Sequence, residues 1–246
     1  MTTTDLPAPF SHIRLDSVGS TNDEIRRLAL SGAAADFLVV SAISQSAGRG
    51  RRGRAWVSPA GNLHFSMLLA VDGLATAAQL GFAAAIAIVE ALTDLVPGAR
   101  FTAKWPNDVL MDGRKVAGML LEPVGENWLV LGIGIDVAAC PPPDAVLYPV
   151  AALAHAGFAG TDLDVLAAFC ARFAPWVGRW RAEGFGPVRD AWVACARGIG
   201  APVVVRLDGE TLTGLFAGLD AEGALLLDAG SNVRRVMAGD VYFPPA

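Results

Sequence analysis

The chain has 246 residues, of which 53% are hydrophobic, and its formal net charge is −5. A chain of this length can bury a substantial core in one large domain or in two. The negative charge argues against general attraction to nucleic acid, whose phosphates would repel it.

A mean hydropathy of +0.45 is high for a soluble protein, so a membrane location has to be tested. The most apolar segment, residues 80–89, lies between Gln79 and Glu90. It is well short of the roughly 20 residues that a membrane-spanning helix needs. No basic segment followed by an apolar one opens the chain, so we expect no signal peptide, no membrane partner and a cytoplasmic location.

The three cysteines, Cys140, Cys170 and Cys195, are widely spaced and form no CxxC motif. This spacing favours reduced buried thiols over a disulfide or zinc framework. The three histidines are equally dispersed, so we expect no intrinsic metal site.

Hydrophobic periodicity and turn residues predict the elements in chain order. A half-buried strand begins at His12 and ends at residues 17–19, and polar residues 20–24 start a helix. The next elements are strands at 37–43 and 62–71, a helix at 74–95, a strand at 100–104, a hairpin of 109–111 and 115–121, a strand at 128–137, and helices at 162–181 and 188–196. We interpret the aromatic stripe of the 162–181 helix as core. Short strands at 203–207, 211–216, 224–227, 233–236 and 241–243 predict a small all-β barrel.

A loop with a high density of charge lies between the strands at 37–43 and 62–71. It reads Gly48, Arg49, Gly50, Arg51, Arg52, Gly53 and Arg54. Glycines let backbone N–H groups approach an anion closely, and guanidiniums are forked donors that match phosphates and carboxylates. The pattern predicts a mobile loop that clamps a small anion. RNA binding is the alternative, but the acidic net charge and the lack of aromatic residues between the arginines disfavour it.

A second polar cluster starts at Lys104. Pro106 stiffens the chain where it leaves a strand, Asn107 and Asp108 follow, and Lys115 returns on the facing strand. Two lysines and a carboxylate should therefore converge near the bend. A solvated surface turn is the alternative for such a motif taken alone.

Two further motifs have two interpretations each. Residues 20–22, Ser-Thr-Asn, either only cap the helix or also contact a ligand. Gly132 and Gly134 resemble the start of a dinucleotide fingerprint, but Val137 stands at the third glycine position and no helix pattern follows. Close approach of a ligand to the strand is the better interpretation. Neither a P-loop nor a GxSxG nucleophile motif is present in the sequence.

Taken together, these motifs strongly resemble those of the biotin protein ligases, which attach biotin to carrier domains of carboxylases. The resemblance covers about residues 13–243. It implies an α/β fold of the α+β type: a class II aminoacyl-tRNA-synthetase-like catalytic domain with a mixed sheet at residues 1–198, and an SH3-like β-barrel at residues 199–246. Only about a dozen residues precede the catalytic pattern, so we expect the monofunctional type, without the N-terminal DNA-binding domain of longer members.

The resemblance also implies a two-step reaction. Biotin and ATP, which brings Mg²⁺, would form biotinyl-5′-AMP and pyrophosphate, and the biotinyl group would then pass to a lysine of a biotin carboxyl carrier protein or domain. Because the first step joins a carboxylate to a phosphate, catalysis should be mostly charge neutralisation and positioning. No nucleic-acid partner is expected, and a homodimer is left open.

The matching positions give the site residues that the resemblance implies. The binding residues are Ser20, Thr21, Asn22, Gln45, Arg49, Gly50, Arg51, Trp56, Asn107, Lys115 and Gly118, and the catalytic residues are Lys115, Arg51, Asp108 and Lys104. Residues 20–22 and Gln45 would hold the biotin ring system, and Trp56 would stack on adenine. Arg49, Arg51 and Lys115 would surround the carboxylate and the adenylate phosphate. Lys104 would contact ATP phosphates, and Asp108 would orient the incoming amine.

Two residues depart from the family pattern. His64 stands where tyrosine is usual, and Asp136 stands where asparagine is usual. Asp136 adds a negative charge near a site that should bind anions. The alternatives are a lipoate or octanoate ligase of the same fold and, in a different class, a nucleic-acid-binding protein that uses the arginine loop.

Overall fold

The computed structural model describes residues 5–142, 146, 148–230 and 232–244. Its strands are β1 (Ser11–Val18), β2 (Leu38–Gln45), β3 (Leu63–Ala70), β4 (Phe101–Lys104), β5 (Asp108–Met111), β6 (Arg114–Val124), β7 (Trp128–Ile135), β8 (Pro202–Arg206), β9 (Thr211–Leu219), β10 (Leu225–Asp228), β11 (Val233–Val236) and β12 (Asp240–Tyr242). Its α-helices are α1 (Thr21–Leu30), α2 (Leu80–Leu95), α3 (Asp162–Glu183) and α4 (Phe185–Cys195).

Seven strands form one mixed sheet in the order β1-β2-β3-β7-β6-β5-β4. Strands β1 and β2 are parallel, and the other neighbouring strands are antiparallel. The predicted hairpin is β5–β6, and the strands on either side of the arginine loop pair as β2–β3. Both predictions are confirmed.

The central strands of the mixed sheet, β2, β3 and β7, are mostly buried on both faces, and apolar residues occupy successive positions in them rather than only alternate ones. Along β2, Val39 packs in the larger core, which includes α2 and α3. Its neighbours Leu38 and Val40 pack in a smaller core with Ile25 of α1. The sheet therefore lies between α1 on one side and α2 with α3 on the other.

Helix α2 is a core helix. The stretch Ala77–Leu95 is long and apolar enough to cross a membrane by length and composition, but 72% of its apolar window is buried inside the fold. Residues 80–89 are the most apolar segment of the sequence, and its periodicity predicts one helix over residues 74–95. The structure instead has a 3-10 turn at Ala77–Gln79 before α2 begins.

The aromatic stripe of α3 is confirmed as core. Phe169 and Phe173 are fully buried, and the two tryptophans further along bond to polar side chains at the N-cap and within α2. Trp176 Nε1 donates to a Glu90 carboxylate oxygen at 3.2 Å, and Trp180 Nε1 donates to Gln79 Oε1 at 2.9 Å. The polar residues that bound the apolar run of α2 are thus hydrogen-bonded to a neighbouring helix.

The C-terminal strands form a separate five-stranded antiparallel sheet in the order β11-β10-β9-β8-β12. These are the five strands that the sequence predicts. Trp105, next to β4, donates from Nε1 to the Gly223 carbonyl at 3.1 Å. This hydrogen bond joins the C-terminal sheet to the chain segment that leads into β5.

Candidate active site

A cavity of about 540 Å³ opens on the α1 side of the mixed sheet. The start of α1, the arginine loop, the central strands of the sheet and β12 of the C-terminal sheet all contribute to its walls. The residues singled out in the sequence all line it: Ser20, Thr21, Asn22, Gln45, Arg49, Gly50, Arg51, Trp56, Lys104, Asn107, Asp108, Lys115 and Gly118.

The floor of the cavity is a row of residues that face one another across adjacent strands. Asp108 of β5 pairs with Gly118 of β6, Gly118 pairs with Gly134 of β7, and Gly134 pairs with His64 of β3. Residues paired in this way present their side chains on the same face of a sheet. The two glycines therefore leave open space between a carboxylate and an imidazole.

The Trp56 indole fills this space. A Cβ added at Gly134 would come within 2.3 Å of Trp56 Cε2, and one at Gly118 would come within 3.1 Å of Cζ3. Trp56 Nε1 donates to His64 Nδ1 at 3.4 Å, and His64 Nε2 lies 3.2 Å from the Pro59 carbonyl oxygen. These contacts assign the imidazole proton to Nε2. Burial lowers the pKa of His64, which favours the same neutral form.

The side chains at the start of α1 line the cavity and, in the part of the chain that the structure describes, do not cap the helix by a side-chain hydrogen bond. Ser20 occupies the N-cap position, but its side chain makes no capping hydrogen bond within the described residues. The Thr21 backbone N–H and hydroxyl both donate to Gln45 Oε1, at 2.8 and 3.1 Å. Ser20 and Thr21 are buried and line the cavity.

Asn22 is fixed from three sides. Its Nδ2 donates to Glu122 Oε2 at 2.7 Å, and its Oδ1 accepts a hydrogen bond from the Ser66 hydroxyl. A Cβ added at Gly132 would lie 2.1 Å from Asn22 Oδ1. The sequence predicts that a ligand lies against Gly132 and Gly134, whereas in the structure the side chains of Asn22 and Trp56 occupy that space.

Carboxylates from distant parts of the chain hold three of the loop arginines. Arg49 donates two hydrogen bonds to Asp23 of α1, at 2.5 and 2.7 Å, and this bonding raises the Arg49 pKa. Arg54 lies 2.6 Å from Asp240 of β12, and Arg52 lies 3.6 Å from the same carboxylate. The loop is thus folded over the cavity by ion pairs to α1 and β12.

Arg51 differs from the other loop arginines. Its Nη1 donates to Asn107 Oδ1 at 2.9 Å, and across the described parts of the chain no carboxylate lies within salt-bridge distance of it. Burial lowers the pKa of Arg51, although an arginine stays protonated in any protein. A half-buried guanidinium without a carboxylate partner is a good site for an anionic ligand.

Two lysines share one carboxylate opposite Arg51. Lys115 Nζ lies 2.6 Å from Asp108 Oδ1, and Lys104 Nζ lies 3.8 Å from Asp108 Oδ2. Lys104 and Asp108 are both buried, and desolvation lowers the Lys104 pKa. With two ammonium groups and one carboxylate, the cluster carries excess positive charge that attracts an anion.

Asp136 belongs to a network around Asn62. Asn62 Oδ1 accepts the backbone N–H groups of Val137, Ala138 and Ala139 at 2.9 to 3.0 Å. Asn62 Nδ2 donates to Asp136 Oδ1 at 3.0 Å. Asp136 is 2% exposed, and burial raises its pKa to about 7, against the opposing charge of Lys115. Near neutral pH this carboxyl group is therefore substantially protonated, and it adds less negative charge than its residue type suggests.

No group of three or more histidine, cysteine, aspartate or glutamate side chains suited to a metal ion occurs among the described residues. The three cysteines are free thiols, and Cys170 is buried. Burial raises the Cys170 pKa to about 12, so this thiol stays protonated.

Two families match the sequence. The Biotin/lipoate A/B protein ligase family matches residues 16–136, and the Biotin protein ligase C terminal domain matches residues 198–243. The biotin--[acetyl-CoA-carboxylase] ligase of Paracoccus denitrificans is 41% identical over 236 residues, which cover 91% of this chain and 97% of the relative. The chain belongs to the biotin protein ligase family.

One further relative matches this chain in sequence, and one solved structure matches its fold. The bifunctional ligase/repressor BirA of Bacillus subtilis is 33% identical over 241 residues, which cover 92% of this chain and 72% of that protein. The solved structure of the biotin protein ligase from Aquifex aeolicus in complex with biotin and ATP superimposes with a TM-score of 0.83, at 26% identity, over 94% of this chain and 97% of that one.

Three residues at or near the cavity are not predicted from the sequence: Tyr148 and Asp240, which line it, and Ser66, which lies behind Asn22. Ser66 bonds to Asn22, the Tyr148 ring lies 4.0 Å from Lys104 Nζ, and Asp240 pairs with loop arginines. Only Ser66 had a sequence signal, because it lies two residues after His64 on the same strand face. The contacts of Tyr148 and Asp240 depend on the packing of distant segments.

Proposed function

We propose that this chain activates biotin with ATP to form biotinyl-5′-AMP, and then transfers the biotinyl group to a lysine of a biotin carboxyl carrier protein or domain. One observation carries the proposal: a single cavity joins a neutral polar pocket around Thr21 and Gln45 to a cationic cluster of Arg51 and Lys115. Biotin matches both halves, since it has an uncharged ureido ring at one end and a carboxylate at the other. The relatives named above are biotin ligases, which favours biotin over lipoate.

The first step brings two anions together. A biotin carboxylate oxygen attacks the α-phosphorus of ATP, and pyrophosphate leaves. Arg51 and Lys115 neutralise the carboxylate and the α-phosphate, and Lys104 contacts the remaining phosphates. Gly50 allows close backbone approach, while Arg49 must first exchange its Asp23 partner to reach a ligand. ATP brings its own Mg²⁺, held mainly by the phosphates.

Trp56 is assigned to the adenine ring. The indole is seated on the Gly118 and Gly134 floor, fixed by His64, and it also lines the cavity. A fixed aromatic ring at the cavity wall offers a stacking surface at low entropic cost. This arrangement supports Trp56 as the adenine platform.

Asp108 is assigned to the second step. In that step the amine of the carrier lysine attacks the carbonyl carbon of biotinyl-5′-AMP, and AMP leaves. Asp108 lies between two ammonium groups, so an arriving lysine amine can replace one of these contacts and be oriented by the carboxylate.

We also propose that the domain boundary falls between residues 198 and 199. The C-terminal family match begins at residue 198, and β8 begins at Pro202. Gly198 and Gly200 have φ values of +89° and +76°, which suit a turn between two units. A cytoplasmic location is also proposed.

The test is a transfer assay. The chain is incubated with ATP, Mg²⁺, a biotin carrier domain and either biotin or lipoate, and the carrier is weighed by mass spectrometry. We expect a single biotinyl addition with biotin and no addition with lipoate. A lipoyl addition would support the lipoate alternative, and no addition together with no biotin-dependent ATP–pyrophosphate exchange would refute the proposal.

A further inference from the structure

Tyr148 lies outside every motif that the sequence singled out. It is half-buried and lines the cavity. Lys104 Nζ lies 4.0 Å from the centroid of its ring, which is within the range of a cation–π contact. The same ring packs against Tyr242 of β12, with the ring centroids 5.3 Å apart and the planes tilted by 42°.

The Tyr148 ring gives the Lys104 ammonium a stabilising contact, because Asp108 does not form a hydrogen bond with it. Lys115 Nζ forms an ion pair with Asp108 Oδ1 at 2.6 Å. Lys104 Nζ lies 3.8 Å from Asp108 Oδ2, which is too far for a hydrogen bond. Lys104 is only 7% exposed, so water compensates little for the missing partner. The ring face of Tyr148 therefore stabilises the buried ammonium and limits where it can point.

We infer that Tyr148 is a positioning residue for the activation step: its ring holds the Lys104 ammonium toward the ATP phosphates, and Tyr242 of the C-terminal sheet holds the ring in turn. This inference rests on the proposed function, because it gives Lys104 a phosphate to meet. It also assigns β12 a role in the site besides the Asp240 ion pair.

The charges around Lys104 agree with this role. Burial lowers the Lys104 pKa, Asp108 of β5 and Asp240 of β12 raise it, and Lys115 of β6 and Arg197, which follows α4, lower it. The ring face favours the charged form as the two carboxylates do. Loss of the ring should therefore move the alkaline limb of the activation rate to lower pH.

The first test compares Tyr148→Leu with Tyr148→Phe, which keeps the aromatic face and removes the hydroxyl. In ATP–pyrophosphate exchange we expect Tyr148→Leu to lower kcat/KM for ATP about 3- to 30-fold and to shift the alkaline limb to lower pH, while KM for biotin changes less than about twofold. Tyr148→Phe should stay within about threefold of the wild type, and in a Lys104→Met background Tyr148→Leu should cause no further loss. Wild-type kinetics in Tyr148→Leu, equal losses in the Leu and Phe variants, or an undiminished effect in the Lys104→Met background would each overturn the inference.

A second measurement requires no enzymatic activity. Lys104 is labelled with acetic anhydride at several pH values and its modification is quantified by mass spectrometry. We expect Lys104 to be modified at least about threefold faster in Tyr148→Leu than in Tyr148→Phe, because its pKa falls and its exposure rises. Equal rates would overturn the positioning role. If the wild type fails to biotinylate a carrier, the proposed function fails, while the labelling result still decides what Tyr148 does to Lys104.

Discussion

Trp56 Nε1 donates a hydrogen bond to His64 Nδ1 at 3.4 Å. The side chain assigned to adenine is therefore fixed by His64. The bond requires an unprotonated Nδ1, and burial lowers the pKa of His64. Because the native pKa is depressed, the neutral form persists at neutral pH and is lost as the pH falls below the ordinary histidine value of about 6.5.

We expect His64→Phe to raise KM for ATP about 2- to 10-fold at pH 8, which corresponds to the loss of one neutral hydrogen bond. The wild-type KM for ATP should rise as the pH falls through the His64 pKa, and this rise should be absent in the variant. Exchange kinetics between pH 5 and 8 measure both effects, with KM for biotin as the internal control. An equally steep acidic rise in the variant would show that another group is responsible.

Gly134→Ala tests the glycine floor. The added methyl group would come within 2.3 Å of Trp56 Cε2, so the indole cannot keep its position, and KM for ATP should rise at least about tenfold. The matched control is Gly178→Ala on α3, where a Cβ meets nothing within 4 Å. The control should keep wild-type kinetics and gain about 0.5 to 1 kcal/mol in free energy of unfolding. Equal kinetics in the two variants would refute the seating of Trp56 on Gly134.

The order of strands and helices could be read from the sequence because the local patterns are strong. The β5–β6 hairpin follows from the turn at Asp112 and Gly113, and α2 follows from its apolar run. The predicted start of α2 is too early, because residues 74–79 continue a helical pattern in sequence but include a 3-10 turn in the structure.

The partners of the loop arginines could not be read from the sequence. The motif gave the cationic side of the site, but its carboxylates, Asp23 and Asp240, come from α1 and β12. Which carboxylate meets which arginine depends on how the C-terminal sheet docks. The same limit applies to Gly132 and Gly134, because the sequence indicates that something approaches these glycines without indicating whether it is a ligand or a side chain.

Arg51→Ala and Lys115→Ala should each lower biotin-dependent ATP–pyrophosphate exchange by about 100-fold or more, because each removes a cation from a water-poor site where anions meet. Arg52→Ala is the matched control: it lies in the same loop and removes the same charge, but it faces Asp208 and Asp240 rather than the cavity. The control should lose less than about threefold, and melting temperatures should verify that all variants fold. Wild-type-like exchange in both Arg51→Ala and Lys115→Ala would refute the role of these residues in neutralising the carboxylate and the α-phosphate.

The final prediction concerns the buried carboxyl group of Asp136. Burial raises its pKa from 3.8 to about 7, so between these pH values the native state binds more protons than the unfolded state does. The free energy of unfolding therefore falls as the pH rises from about 4 to about 7, and the full penalty is present above that range.

Asp136→Asn removes this penalty and keeps an oxygen that can accept from Asn62 Nδ2. We expect the variant to exceed the wild type in free energy of unfolding only slightly at pH 4 and by on the order of 4 kcal/mol at pH 8.5. Urea denaturation at the two pH values measures the difference, and Asp72→Asn at an exposed position is the control, with little change at either pH. If Asp136→Asn changes the stability equally at both pH values, the carboxyl group does not titrate near neutrality, and its charge must then be balanced by Lys115 instead.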